Sequence, residues 1–425
     1  MTVKFGEMSA SDKASLVCVA LLPIASLAGN AAADLALVLN VVVFLATSGG
    51  DIKVYPRSWF LRLSFVFWAW ILICSALSAF PSHSFQDSLP WIRFPLYAFA
   101  LSHVLGAGIG KNRNYFLASA AIGTLIELSF MLYQFIYKRL DGMTLDPMQV
   151  RLNGTFGKLI AGWYILCFGL IVSLWAITYL RSSEVKPKMK LAIVGFSVLT
   201  TIGVVISGEI MSTITFFGIV VLFLLLRRPK ELSKNIPLIV GFASIILVAC
   251  LVVIFDQGLD NRLAIALRHR IPWTPESDYY LPLKAGYEIA ANNLWFGVGP
   301  KNTFSYCAML KEQGTMEAVL NIHATQCPWH PHNLYIQIAA ETGLIGLALF
   351  SVLACYILVQ SLRHFWTNNV NDNIPLAMTL VLFFPIQTYS QAFGQSKNFY
   401  FWSMIGFALY LIRSERRIGI QNDRL

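Results

Sequence analysis

Along most of the chain, apolar runs alternate with short polar connectors, and the runs have the roughly 20-residue length that carries a helix across a bilayer. The first run, residues 15–27, breaks at Gly29-Asn30 and resumes over 34–46, which predicts a helical hairpin with a short turn. Further spans are expected over 65–80, after Trp91, over 115–137 and in a run ending at Leu180. A seventh and an eighth meet at Ser207-Gly208-Glu209, and a ninth covers 236–255. The tenth runs on from His332 to near Arg363, with two more over 375–390 and 399–412. The pattern predicts an all-α polytopic membrane protein with about twelve transmembrane helices and one long outer loop containing short helices. Its expected divisions are 1–255 for helices one to nine, 256–332 for the loop, and 333–425 for the last three helices and a tail.

Charge orients this arrangement. Every second connector is basic: Lys53, Arg57 and Arg62, then Lys111 and Arg113, then Arg181, Lys186, Lys188 and Lys190, then Arg227, Arg228 and Lys230. Arg413, Arg416, Arg417 and Arg424 follow the last run, so the positive-inside rule puts both termini in the cytoplasm and the 256–332 loop outside. Among 425 residues 56% are hydrophobic and 13% charged, which sets aside a soluble domain, and the placement of the +10 net charge in short loops accounts for it without nucleic acid. No basic-aromatic module or glycine-rich phosphate loop appears, and the first run leads straight into a second, as a retained span does. Cys18, Cys74, Cys167, Cys250 and Cys355 fall within spans, whereas Cys307 and Cys327 lie in the outer loop. A bridge between those two would stabilise the loop by about 3 kcal/mol; two free thiols are the alternative.

One stretch concentrates functional side chains at a water-to-membrane boundary: His330-Pro331-His332-Asn333-Leu334-Tyr335, continuing to Glu341-Thr342-Gly343-Leu344-Ile345-Gly346. Asn333, Gln337 and Glu341 recur at every fourth position and share a helix face. A carboxylate costs roughly 2.5–3.5 kcal/mol at the centre of a lipid-facing helix, so the stripe is expected to face protein or a wet cavity. His332 stands where the tenth helix begins, and the positive end of the helix dipole disfavours imidazolium there. A neutral imidazole can act as a general base, worth about 10² to 10⁴ in rate. His330 precedes a proline, is expected to be extended, and is the weaker candidate. The plainer reading is a surface cap followed by a packing motif. Zinc would need three or four ligands, and beyond His323 and the loop thiols no second cluster accompanies the pair, so no metal or other cofactor is expected. Arg262, Arg268, His269 and Arg270 open the outer loop, and Arg93 and Arg151 fall on the same side beside helix ends. Converging guanidinium groups suit a pyrophosphate, although a single Arg at a helix end can simply reach to lipid headgroups.

The histidine stretch, preceded by Gly297-Val298-Gly299-Pro300-Lys301-Asn302, resembles the O-antigen ligase and polymerase superfamily of bacterial envelopes. Ile92-Arg93-Phe94, Arg151-Leu152-Asn153-Gly154-Thr155-Phe156-Gly157 and the Cys307 and Cys327 pair are similar to further motifs of that family. Where similar proteins often carry an arginine after the Glu of Ser207-Gly208-Glu209, this chain has Ile210. The resemblance implies a multi-pass protein of the bacterial inner membrane with a periplasmic active site. Its donor would be an undecaprenyl-pyrophosphate-linked glycan and its acceptor a sugar hydroxyl of lipid A-core, with inversion and without nucleotide or metal. His332 and Arg268 would be the catalytic residues. Arg93, Arg151, Arg262, Arg270, His330, Asn333, Glu209 and Glu341 would bind substrate. Two alternatives stand beside the ligase: an O-antigen polymerase, whose acceptor is a second lipid-linked glycan, and a polysaccharide or lipid transporter, for which paired broken helices and internal repeats would speak.

Overall fold

The structure, a computed structural model, describes residues 9–47, 58–106, 111–140, 152–156, 161–179, 186–226, 275, 277, 279–322, 327–367, 373–384, 392–394 and 396–422. All regular elements among them are helical, the form in which a backbone in hydrocarbon satisfies its own hydrogen bonds. Five are long and apolar enough to cross a membrane: Trp59–Leu77, Lys111–Tyr137, Ala161–Thr178, Pro187–Ile206 and Leu334–Thr367. Asn30–Ala46 and Met211–Leu225 are shorter apolar helices. The expected ninth span, 236–255, lies outside the described residues, among which these five have the length and composition to cross a membrane.

The expected hairpin is α1 (Ala10–Ala25) and α2 (Asn30–Thr47), which turns at Gly29. α3 (Trp59–Leu77) starts six residues before the expected span at 65. The segment expected to be a polar loop over 81–90 is instead mostly a helix, α4 (Pro81–Ser88), with a 3-10 turn at Leu89–Ile92. Pro81 opens α4 with its preset φ, and serine hydroxyls hold α4 against α3: Ser75 bonds Ser88 at 2.8 Å and Ser84 at 2.9 Å. Next come α5 (Arg93–Gly106) and α6 (Lys111–Leu140). α7 joins Ala161–Tyr164, a π-helical turn Ile165–Gly169 and Leu170–Tyr179. α8 (Pro187–Ile206) and α9 (Ile210–Leu225) meet at the expected turn. The region expected to be the outer loop contains α10 (Tyr280–Asn292), α11 (Thr303–Glu312) and α12 (Met316–Leu320). α13 (Leu334–Thr367), α14 (Ile374–Leu382) and α15 (Ser396–Asn422) complete the order.

At 14 residues α5 is shorter than a bilayer-crossing helix, and most of its side chains are buried against α15, α2 and α6. Aromatic edge-to-face packing fills this centre: Trp91 lies 5.1 Å from Phe67 and 5.9 Å from Trp402 between ring centroids. Polar tips in it are paired, with Trp91 Nε1 donating to the Ala392 carbonyl at 2.8 Å and Tyr97 bonding Ser403 at 2.8 Å.

The expected continuous helix after His332 is broken. Gly343 has φ +69° and ψ −176°, which splits α13 into a short first piece, 334–342, and a long second one. A helix that stops leaves its last carbonyls without partners. Here the backbone of the Gly297-Val298-Gly299 segment supplies them: Val298 N–H donates to the Ala340 carbonyl at 2.9 Å and Gly299 N–H to that of Glu341 at 3.0 Å. Trp70 Nε1 takes the Thr342 carbonyl at 2.9 Å. On the far side of the break Leu344 N–H donates to Leu294 at 2.7 Å. The approach is so close that a Cβ on Gly343 would lie 2.1 Å from the Trp295 carbonyl oxygen, and one on Gly297 would lie 2.4 Å from the Glu341 carbonyl carbon.

Gly343→Ala is therefore expected to destabilise the purified protein by about 3 kcal/mol or more, combining left-handed strain with a backbone clash. Gly195→Ala is the control: it lies within α8, and a Cβ there meets nothing within 4 Å, so its thermal unfolding should be unchanged or slightly raised. Equal melting temperatures for Gly343→Ala and the parent would contradict the interlock.

Candidate functional site

The segment from His330 to Asn333 is positioned by α10. Pro331 is buried in the notch left by Gly286, where a Cβ would approach its ring to 2.5 Å. Tyr279, at the N-terminus of α10, meets the His332 ring edge-on at 4.8 Å, and the two imidazoles stand perpendicular at 4.0 Å. Asn333 caps α13, its Oδ1 accepting from the N–H groups of Tyr335 at 3.0 Å and Ile336 at 3.1 Å. His332 therefore stands one residue outside the cap, with φ +54°, half-buried at the rim rather than on the helix. His330 is also half-buried and outside the helix, and its Nδ1 is enclosed without a hydrogen bond. Burial, with the nearby Lys397 and Lys301 ammonium groups, holds its imidazole below the ordinary value against an opposing backbone hydrogen bond.

These lysines are the residues that the sequence reading did not single out. Lys301 was in view only as part of the glycine motif. Lys397 precedes the last apolar run on the side that the positive-inside pattern leaves poor in cations, and that position was a usable signal. With the N-terminus of α13 they make the surroundings of the imidazoles favourable to an anion.

The polar stripe faces protein. Gln337 Oε1 accepts from Ala392 N–H at 3.1 Å, and its Nε2 donates to Glu341 Oε1 at 3.2 Å. Glu341, 1% exposed, accepts from Lys301 N–H at 2.8 Å through Oε2 and from the Thr303 hydroxyl at 2.6 Å through Oε1. The carboxylate thus fixes the chain as it enters α11 and with it the backbone of Lys301. α4 holds the same loop from the other side, through His83 with Asn302 at 2.8 Å and Ser84 with the Pro300 carbonyl at 3.0 Å.

Of the other expected site residues, Arg93 and Glu209 are described, and each is engaged within the bundle. Arg93 is paired with Asp34 at 3.3 Å, donates to the Pro90 carbonyl at 2.9 Å and lies over the Phe94 ring. Its charge is thus already balanced within the bundle. Glu209 ties α7 to α9, accepting from Gly162 N–H at 3.0 Å and from Ser212 at 3.2 Å. Beside it, Leu152 N–H donates to the Ser207 carbonyl at 3.3 Å. Two α6 residues clamp the following turn: Glu127 Oε2 accepts the Thr155 N–H and hydroxyl, and Gln134 Oε1 accepts the N–H groups of Asn153 and Gly154. Arg151, Arg262, Arg268 and Arg270 lie outside the described residues. Cys307 and Cys327 are bonded to each other, with Cα atoms 5.7 Å apart.

Because three donors converge on it in a buried setting, Glu341→Ala should lower stability by about 3 kcal/mol or more. Denaturation of the purified variant should show the loss without any substrate present. A variant as stable as the parent but unable to bind substrate would instead make the carboxylate a contact to ligand.

Residues 195–351 match a family model described as O-antigen ligase, and no curated protein matches the chain. The apolar helices and this match together make the chain a multi-pass membrane protein. The matched stretch, residues 195–351, holds both histidines, Glu209 and Glu341, and this similarity supports the O-antigen ligase superfamily.

Proposed function

We propose that the protein is an inverting glycosyltransferase of the O-antigen ligase type, working at the outer face of the bacterial inner membrane. The observation that carries this reading is the gathering of His330, His332, Lys301 and Lys397 at one helix start within or beside the matched segment. In the reaction, a sugar hydroxyl of lipid A-core attacks the anomeric carbon of the glycan on undecaprenyl pyrophosphate. The carbon–oxygen bond to the pyrophosphate breaks, and the lipid pyrophosphate leaves whole. His332, at the accessible rim, takes the hydroxyl proton. Lys301 and Lys397 offset the charge that grows on the leaving group. Arg151, Arg262, Arg268 and Arg270 belong to the same proposal as bidentate contacts to phosphate, with Arg268 in a catalytic role. Arg93 is the weaker member because Asp34 already neutralises it. The donor is an activated ester, so neither nucleotide nor metal is required by the chemistry.

The break in α13 bears on the transporter alternative. Broken helices in transporters present free carbonyls to ions. Here Val298, Gly299 and Trp70 occupy the carbonyls of the break, so it serves the fold and supports the transferase reading.

The test is the purified protein reconstituted with undecaprenyl-pyrophosphate glycan and, in parallel, lipid A-core or a second lipid-linked glycan as acceptor. Product on lipid A-core is expected; a longer lipid-linked glycan alone would make the protein a polymerase, and neither product would refute transfer. His332→Ala should lower turnover by about 10² or more while leaving the melting temperature within a degree or two, because the ring packs at a rim. His330→Ala should do less. Near-normal turnover in His332→Ala would remove the base from this assignment.

A further inference from the structure

A concave surface lies one residue upstream of the histidines. It is a cavity of about 540 Å³ lined by Phe304, Ala308, Lys311, Glu312, Cys327 and Trp329, of a size ordinary for small-ligand sites. Trp329 is 77% exposed, an unusual state for the largest side chain. Its ring is nonetheless fixed: it lies parallel to that of Phe304, 4.2 Å between centroids and 5° between planes. One indole face is therefore covered, and the other is presented to the open side.

The covalent structure explains why the pair is held. Phe304 precedes Cys307 by one turn of α11, Trp329 follows Cys327 by two residues, and the Cys307–Cys327 bond joins the two segments behind the rings. Along α11, Phe304, Ala308 and Lys311 share a face, so the small Ala308 leaves the hollow that the longer Lys311 and Glu312 border. An apolar plate flanked by one ammonium and one carboxylate matches a hexopyranose, whose axial C–H groups give it an apolar face and whose hydroxyls both donate and accept. A lipid tail would leave Lys311 and Glu312 unused, and the Glu312 carboxylate repels an anionic headgroup.

We propose that the Trp329 face, backed by Phe304 and bordered by Lys311 and Glu312, is a saccharide subsite that holds one ring of a glycan substrate next to His330. The ring could come from either the acceptor or the donor glycan, and this assignment of it as substrate rests on the transferase reading above. Binding itself does not depend on that reading, so the test uses no donor lipid and no turnover.

The full-length protein in nanodiscs is mixed with either of two soluble probes from the bacterium that makes it: core oligosaccharide freed from lipopolysaccharide by mild acid, or detached O-antigen polysaccharide. Saturation-transfer NMR then reads which sugar protons contact the protein. The expected result is transfer to pyranose ring C–H protons of at least one probe; a core signal assigns the subsite to the acceptor, an O-antigen signal to the donor. Trp329→Ala should weaken binding by roughly tenfold or more, as loss of an aromatic anchor does, and Trp329→Phe should restore most of it. Ala308→Leu, which fills the hollow and leaves both rings in place, should also abolish the signal, so the proposal does not hang on one variant's folding. No transfer to either probe from the parent protein would overturn it. So would equal signals from the parent and Trp329→Ala, the outcome for a tryptophan that merely anchors the protein at the bilayer surface.

Discussion

The interruption of α13 at Gly343 is the constraint on which the surroundings of the histidines depend. A helix in an apolar setting can stop only if something else satisfies the carbonyls it abandons. The protein meets this requirement by threading the backbone of Leu294 to Gly299 into the gap, where glycine at 297 and 343 is required by contact distance. Once that loop is seated, Lys301 follows within two residues, and Glu341 on the short helical piece draws its N–H inward. One backbone exchange thus brings together two segments that lie about forty positions apart in the chain.

The short piece of α13 works as a bracket rather than as part of a span. Asn333 caps it, while Gln337 ties it to Ala392 and Glu341 ties it to the α11 entrance, so two of the three polar side chains of the stripe reach other segments. A buried carboxylate with three donors is a stable arrangement, whereas one left open to substrate in the same place would carry a large desolvation cost. The histidines stand just outside the capped start of this bracket, near two ammonium groups and the positive helix end.

Much of this was legible in the sequence for identifiable reasons. The α1 and α2 hairpin and the turn at Ser207-Gly208-Glu209 were visible because glycine and polar residues interrupt otherwise uniform apolar runs. The three-residue stripe on one face was readable from spacing, as was its need to face protein or a wet cavity. The helix break was not, because Gly343 sits in a run whose hydropathy is continuous on both sides, and glycine in an apolar helix more often marks close packing. α4 was missed because Ser84, Gln86, Asp87 and Ser88 make the segment polar, and its stability comes from hydroxyl bonds to α3 that no periodicity announces. Lys397 lies far from the histidines in sequence, and only the fold brings it near His330.

In the proposed function an intact lipid pyrophosphate is displaced by a sugar hydroxyl at the site around His332. Mass spectrometry of the lipid products of a single reconstituted turnover tests it most directly. One undecaprenyl pyrophosphate, with both phosphates, is expected for each glycan attached to the acceptor. Undecaprenyl monophosphate as the primary lipid product, or lipid moved across the bilayer with its glycan still attached, would contradict it.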